Sequence, residues 1–126
     1  MRIERVGTTK RWSDAVIYNH TLYMVEVPVT LATGIEEQAK ELLLLIEKNL
    51  KAYGSNKNRL LTVTIFLKDI RDIDLFNAIW DEWIPKDSAP VRACIEAKLA
   101  NPEYLVEVQL TAALDENNNS TVNFMT

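Results

Sequence analysis

Residues 89–113, "APVRACIEAKLANPEYLVEVQLTAA", contain two apolar, β-branched runs separated by a segment with asparagine and proline. Val91, Ala93, Ile95 and Ala97 alternate with Arg92, Cys94 and Glu96, and Val106 and Val108 alternate with Glu107 and Gln109. Such period-two alternation marks strands, because successive side chains point to opposite faces of a sheet. Strands are therefore expected over 91–98 and 104–112. If the two form a hairpin around "LANPE", Arg92 falls opposite position 107 or 109, which makes Arg92 and Glu107 cross-strand neighbours on one face. Two explanations of the pair stand side by side. It is an ion pair at the rim of the sheet, or the guanidinium is a fork for a ligand carboxylate and Glu107 holds the arginine or a water.

Upstream, "RLLTVTIFL" at 59–67 is too short and too β-branched for a helix, and it predicts a half-polar or interface-facing strand. Phe76, Ile79, Trp80 and Trp83 follow at helical spacing from Asp72, and Pro85 closes the segment. Ile35, Ala39, Leu42, Leu43, Ile46, Leu50 and Tyr53 form a longer helical stripe. Thr33 and Glu36 have the spacing of a capping box at its start, and Gly54 supplies the stop. A short strand at 3–6 precedes "DAVIYNHTLYMVEVPV", two β-rich runs that pivot on Asn19 and His20 before Pro28. The order is β, β-hairpin, α, β, α, β, β. It predicts an α+β fold, a sheet covered on one face by two helices, in a single domain over 1–114 with a polar tail over 115–126. A sheet apolar on both sides leaves an exposed patch, so an oligomer is expected.

Composition narrows the function classes. The 126 residues, 48% of them hydrophobic, suffice for one core. A formal net charge of −4 gives no broad basic face, which argues against a nucleic-acid scaffold working by phosphate neutralisation. One cysteine and one histidine exclude an internal disulfide and leave too few soft ligands for an ordinary zinc site. No apolar run approaches the roughly 20 residues that span a bilayer, so a soluble, cytoplasmic protein with no membrane partner is expected.

Pro90, Arg92, Cys94, the "VEV" around Glu107, "TVTIFLKDIRDIDLFNAIW" at 62–80 and the helical Asn77 together resemble the Rid family. These are the YjgF or RutC-like reactive-intermediate deaminases, also found under the label endoribonuclease L-PSP. The likeness runs over about residues 11–114, and "RWSD" and "NPEYLVEV" resemble its small bacterial YoaB-like subgroup. The resemblance implies a chorismate-mutase-like fold and a homotrimer with a central barrel of sheets and sites between subunits. It implies Arg92 as carboxylate anchor, Glu107 as the residue that positions water, Cys94 lining the pocket and Asn77 in support. The implied reaction is hydrolysis of a 2-imino acid or enamine to a 2-oxo acid and ammonia, with neither metal nor cofactor. Deaminase-competent members carry a tyrosine near the start and a Ser-Gly pair at the end of the third strand. Trp12 and Met24-Val25 stand there in this chain, and Trp12 and Met24 are the expected substrate-side contacts. Loss of those hydroxyls keeps a second reading open, a non-catalytic trimer that binds a 2-oxo acid as a regulator.

Other aromatic and basic residues have plainer readings. Trp12 is expected over the ligand or in the subunit interface, and Trp80 and Trp83 in the core as part of the helix stripe. His20 reads as a turn residue. "KAYGSNKNR" lacks interleaved aromatics and reads as a solvated loop, which leaves the endoribonuclease label without a basic groove.

Overall fold

The computed structural model describes residues 1–116; the rest of the polar segment expected at 115–126 lies outside the described residues. Six strands, β1 (Glu4–Val6), β2 (Ala15–Tyr18), β3 (Thr21–Glu26), β4 (Leu60–Leu67), β5 (Val91–Glu96) and β6 (Val106–Ala113), form one sheet in the order β1-β2-β3-β6-β4-β5. Helices α1 (Ile35–Ala52) and α2 (Ile73–Trp83) pack on one face of it, as the α+β expectation requires.

Local sequence explains most of these elements. Asn19 and His20 both take positive φ, 51° and 59°, the turn whose twist matches a two-residue hairpin, and Tyr18 pairs with Thr21 across it. α1 ends as its glycine predicts: Gly54 sits at φ 88°, its N–H reaches Lys51 O at 3.2 Å, and Ser55 N–H reaches Leu50 O at 2.8 Å. The start of α1 departs from expectation. Gly34 is the N-cap and no side chain caps the helix, while Thr33 Oγ1 donates to Thr30 O instead. Glu41, more than one turn inside the helix, accepts from the N–H groups of Val29 and Thr30 and from Thr30 Oγ1 at 2.6–2.8 Å. Those three bonds tether the entry loop that the capping box would otherwise have fixed, and they hold the Glu41 carboxyl below its usual range.

The topology corrects the expected β5–β6 hairpin. β5 pairs in parallel with β4, and β6 pairs antiparallel with β4 on its other side and with β3. Burial fits this order. Val106, Val108, Leu110 and Ala112 are almost fully buried under the helices, as suits a strand in the middle of the sheet, whereas β5 exposes Val91 and Ile95 and ends it. Residues 97–105 carry the chain across the end of β4, where Lys68 N–H donates to Leu105 O and Ala97 N–H to Leu67 O, both at 3.0 Å. A segment of that length exceeds the two to five residues typical of a hairpin loop.

Alternation sorts the sheet's side chains. Ala15, Leu22, Met24, Val63, Ile65 and the buried β6 residues face the stripe Ala39, Leu42, Leu43, Ile46 and Leu50 of α1 and Phe76 and Trp80 of α2. Within this core Gln38 is 0% exposed and ties α1 to two segments with three hydrogen bonds: its Nε2 donates to Leu31 O and Glu103 O, and its Oε1 accepts from Leu105 N–H. Among the described residues nothing covers the opposite face. It is polar at its centre, where Thr62 and Thr111 share a 2.7 Å hydroxyl hydrogen bond beside Thr64 and Gln109, and apolar around that centre, with Tyr23, Val25, Val91 and Ile95 exposed. The half-polar strand expected at 59–67 supplies that polar centre, and the exposed apolar residues lie around it.

Candidate functional site

Arg92 lies on edge strand β5 opposite Val63 of β4, so its side chain shares the helix-covered face with Cys94, opposite Ile65, and Glu96, opposite Leu67. α2 runs over this edge. Arg92 Nη2 donates to Asn77 Oδ1 at 2.8 Å, and the guanidinium carbon lies over the Trp80 ring, 5.3 Å from its centroid. Asn77 thus braces the arginine directly, in keeping with a supporting role. Glu96 does not pair with Arg92; its Oε1 accepts the Ile70 N–H at 3.0 Å. Among the described residues no carboxylate lies within ion-pair distance of the half-buried Arg92. Burial pushes the Cys94 thiol up against the opposing pull of the Arg92 charge, which suits a neutral wall better than a nucleophile.

Glu107 faces the other way. It pairs with Phe66, three residues from Val63 along β4, so within one protomer Arg92 and Glu107 occupy opposite faces of the sheet, about 10 Å apart along the strand direction. The expectation of cross-strand neighbours on one face is overturned, because β4 lies between the two strands. Glu107 instead lines a hollow of about 260 Å³ with Phe66 and residues 97–100.

Two further expected contacts separate in the same way. Trp12, 60% exposed in the loop between β1 and β2, lines a cleft of about 420 Å³ with Ser13, Asp14, Val25, Glu26 and Val27. Met24 is only 4% exposed, paired between Ala15 and Leu110 on the covered face, so its side chain belongs to the core and the ligand contact expected of it is corrected; Val25 is the exposed member of that pair. With strands about 4.8 Å apart, the Trp12 cleft at β2 and β3 lies roughly 14–19 Å across the sheet from β5. One protomer therefore joins Arg92, Asn77 and Cys94, and leaves Trp12 and Glu107 elsewhere.

The structure also adds residues that sequence reading passed over. Trp80 fills its core position and still serves as the platform under Arg92, a double role that helical periodicity does not reveal. In the Trp12 cleft, burial pushes the Glu26 carboxyl up, the hydrogen bond from Asn49 opposes this, and the charge of Asp14 adds to the rise. That proximity follows from the hairpin register: a two-residue turn pairs Ala15 with Met24 and brings Asp14 toward Glu26. Among the described residues no three or more histidine, cysteine or acidic side chains gather in a way that suits a metal, and no helix is long and apolar enough to cross a membrane.

Comparison with known proteins shows the family. The family model described as Endoribonuclease L-PSP matches residues 2–114. The chain is 43% identical over 114 residues to the RutC family protein YoaB of Escherichia coli (strain K12), covering 90% of this chain and 100% of that one. It is likewise 43% identical to a RutC family protein of Haemophilus influenzae, over 89% and 98% of the two chains. Among solved structures it resembles NMB1025 of Neisseria meningitidis, a member of the YjgF protein family, with a TM-score of 0.84 and 37% identity over 92% of this chain and 98% of that one. Together with the arginine, cysteine and helical asparagine gathered at one sheet edge, these matches establish that the chain belongs to the Endoribonuclease L-PSP family, the YjgF, RutC or Rid proteins.

Proposed function

We propose that the protein hydrolyses a reactive 2-imino acid or its enamine to a 2-oxo acid and ammonia, at a site between subunits anchored by Arg92. The observation that carries the proposal is a half-buried guanidinium, braced by Asn77 and Trp80 and without a carboxylate partner among the described residues. An arginine so placed suits the carboxylate of a small metabolite. Glu107 faces away from it within the protomer, so a second copy has to complete the site. The uncovered sheet face supports that assembly, a trimer with a chorismate-mutase-like arrangement of sheets around its centre.

The chemistry asks little of the protein. Arg92 fixes the substrate carboxylate, and a Glu107 of another subunit orients water toward the imine carbon and takes its proton. Oxygen bonds to carbon, the nitrogen is protonated, and the carbinolamine collapses to the 2-oxo acid and ammonia. An imine is already electrophilic, so orientation and stabilisation of the tetrahedral adduct suffice without a metal or other cofactor.

Imines generated in situ from several amino acids test the proposal. Acceleration over buffer that disappears in Arg92→Ala supports it, and no acceleration by the folded oligomer rejects catalysis. A second reading has its own support: Trp12 is bulky, and Val25 presents no hydroxyl where deaminases carry a Ser-Gly pair. Under that reading the trimer binds a 2-oxo acid as a regulator, and calorimetry shows Arg92-dependent binding of pyruvate or 2-oxobutyrate without turnover of any imine.

A further inference from the structure

We infer that Trp80 is a positioning residue for the Arg92 anchor: with Asn77 it fixes the guanidinium so that one two-point fork faces a ligand, committing each Arg92 to a single planar carboxylate. The inference rests on the reading of Arg92 as a carboxylate anchor.

A guanidinium offers two forks, one formed by Nε–H with Nη2–H and one by Nη1–H with the other Nη2–H. Asn77 Oδ1 takes one of the two Nη2 hydrogens, which disables one fork and leaves the other intact. β5 is an edge strand, so no further strand confines the arginine from outside. A long side chain there would lose substantial rotamer freedom on binding a ligand unless something already held it. Trp80 supplies that hold, because the negative face of an indole attracts a cation lying over it.

The platform is itself immobilised. Trp80 is 5% exposed, Phe76 stacks on it with centroids 6.2 Å apart, and Trp83 packs at 5.5 Å. Trp83 Nε1–H donates in turn to Glu47 of α1 at 3.1 Å, so both helices fix the ring on which Arg92 rests. Cys94, on the same face of β5, keeps its proton and offers no anion to compete for the free fork.

Calorimetric titration with pyruvate and 2-oxobutyrate tests the role in the wild type, R92A, W80L and W80F, each with its melting temperature recorded. Binding in the wild type, weakened about a hundredfold in R92A, is expected. W80L, which fills much of the space without a π face, should bind about tenfold more weakly, and W80F, which keeps a π face, should stay within about threefold of the wild type. A merely structural role would weaken binding in both variants in proportion to their loss of thermal stability, and that result overturns the inference. So does wild-type affinity in W80L. W80M replaces W80L if the latter does not fold. Binding weakened in R92A but intact in W80L removes the positioning role alone, whereas a wild type that binds neither acid removes the anchor and the positioning role together.

Discussion

Replacing Gln38 by methionine keeps the side chain's length and removes all three of its hydrogen bonds, to Leu31 O at 3.1 Å, Glu103 O at 3.0 Å and Leu105 N–H at 2.8 Å. At a net value of about 1 kcal/mol each, the loss is about 3 kcal/mol, and it rises toward 6 if the three backbone groups stay buried and unpaired. The apolar methionine returns about 1 kcal/mol of that through its better transfer from water. The expected destabilisation is therefore about 3 kcal/mol, a large share of a domain's usual 5–15, which lowers the melting temperature by about 10 °C. Urea unfolding followed by tryptophan emission measures it. Hydrogen exchange localises it, since Glu103 and Leu105 lead directly into β6: the amides of Leu105 and Glu107 should lose more protection than that of Leu22. A Q38M stability within about 0.5 kcal/mol of the wild type, or protection lost evenly across the sheet, would refute the reasoning by showing that the three groups find other partners.

Other expectations are shorter to state. Arg92→Ala should weaken carboxylate binding by about a hundredfold and Arg92→Lys by about tenfold, because the ammonium keeps the charge but loses the planar fork; calorimetry with 2-oxobutyrate reads both. Glu26 has its pKa raised in the fold, so its ionised form works against folding: the penalty is absent below the unfolded value and complete once pH exceeds the folded one. Glu26→Gln should therefore raise the melting temperature at pH 7.5 and leave it nearly unchanged at pH 4, about the unfolded pKa. Thr64→Arg places a charge at the centre of the uncovered sheet face, and under the proposed assembly it should yield a folded monomer in size-exclusion chromatography with light scattering. An unaltered oligomer would show that this face is not the interface.

The candidate site was legible in pieces. Arg92, Cys94 and Asn77 are identifiable from the chain's resemblance to the Rid family, and they share one place in the fold. Met24 is not, because aligning it with a hydroxyl-bearing pair says nothing about which of two adjacent residues faces the core; its register with Ala15 and Leu110 decides that. The helical spacing of Trp80 predicts packing, and it packs, but a ring has two sides and only the arrival of β5 shows what lies on the second. The cap of α1 differs for a related reason, since it is Glu41 that holds the entry loop, a long-range contact that the Thr33–Glu36 spacing does not reveal.

The sequence by itself determined where the strands and helices lie, the turn at Asn19 and His20, the stop at Gly54, and which residues of each strand share a face, because these depend on backbone preferences and a two-residue repeat over short distances. Only the tertiary structure decided which strands are neighbours. Alternation is identical whether β6 pairs with β5 or crosses to the far side of β4, and only the long-range pairing of the strands distinguishes the two. That choice turned Arg92 and Glu107 from an apparent cross-strand pair into groups on opposite faces of one sheet, so that bringing them into one site takes a second copy of the chain.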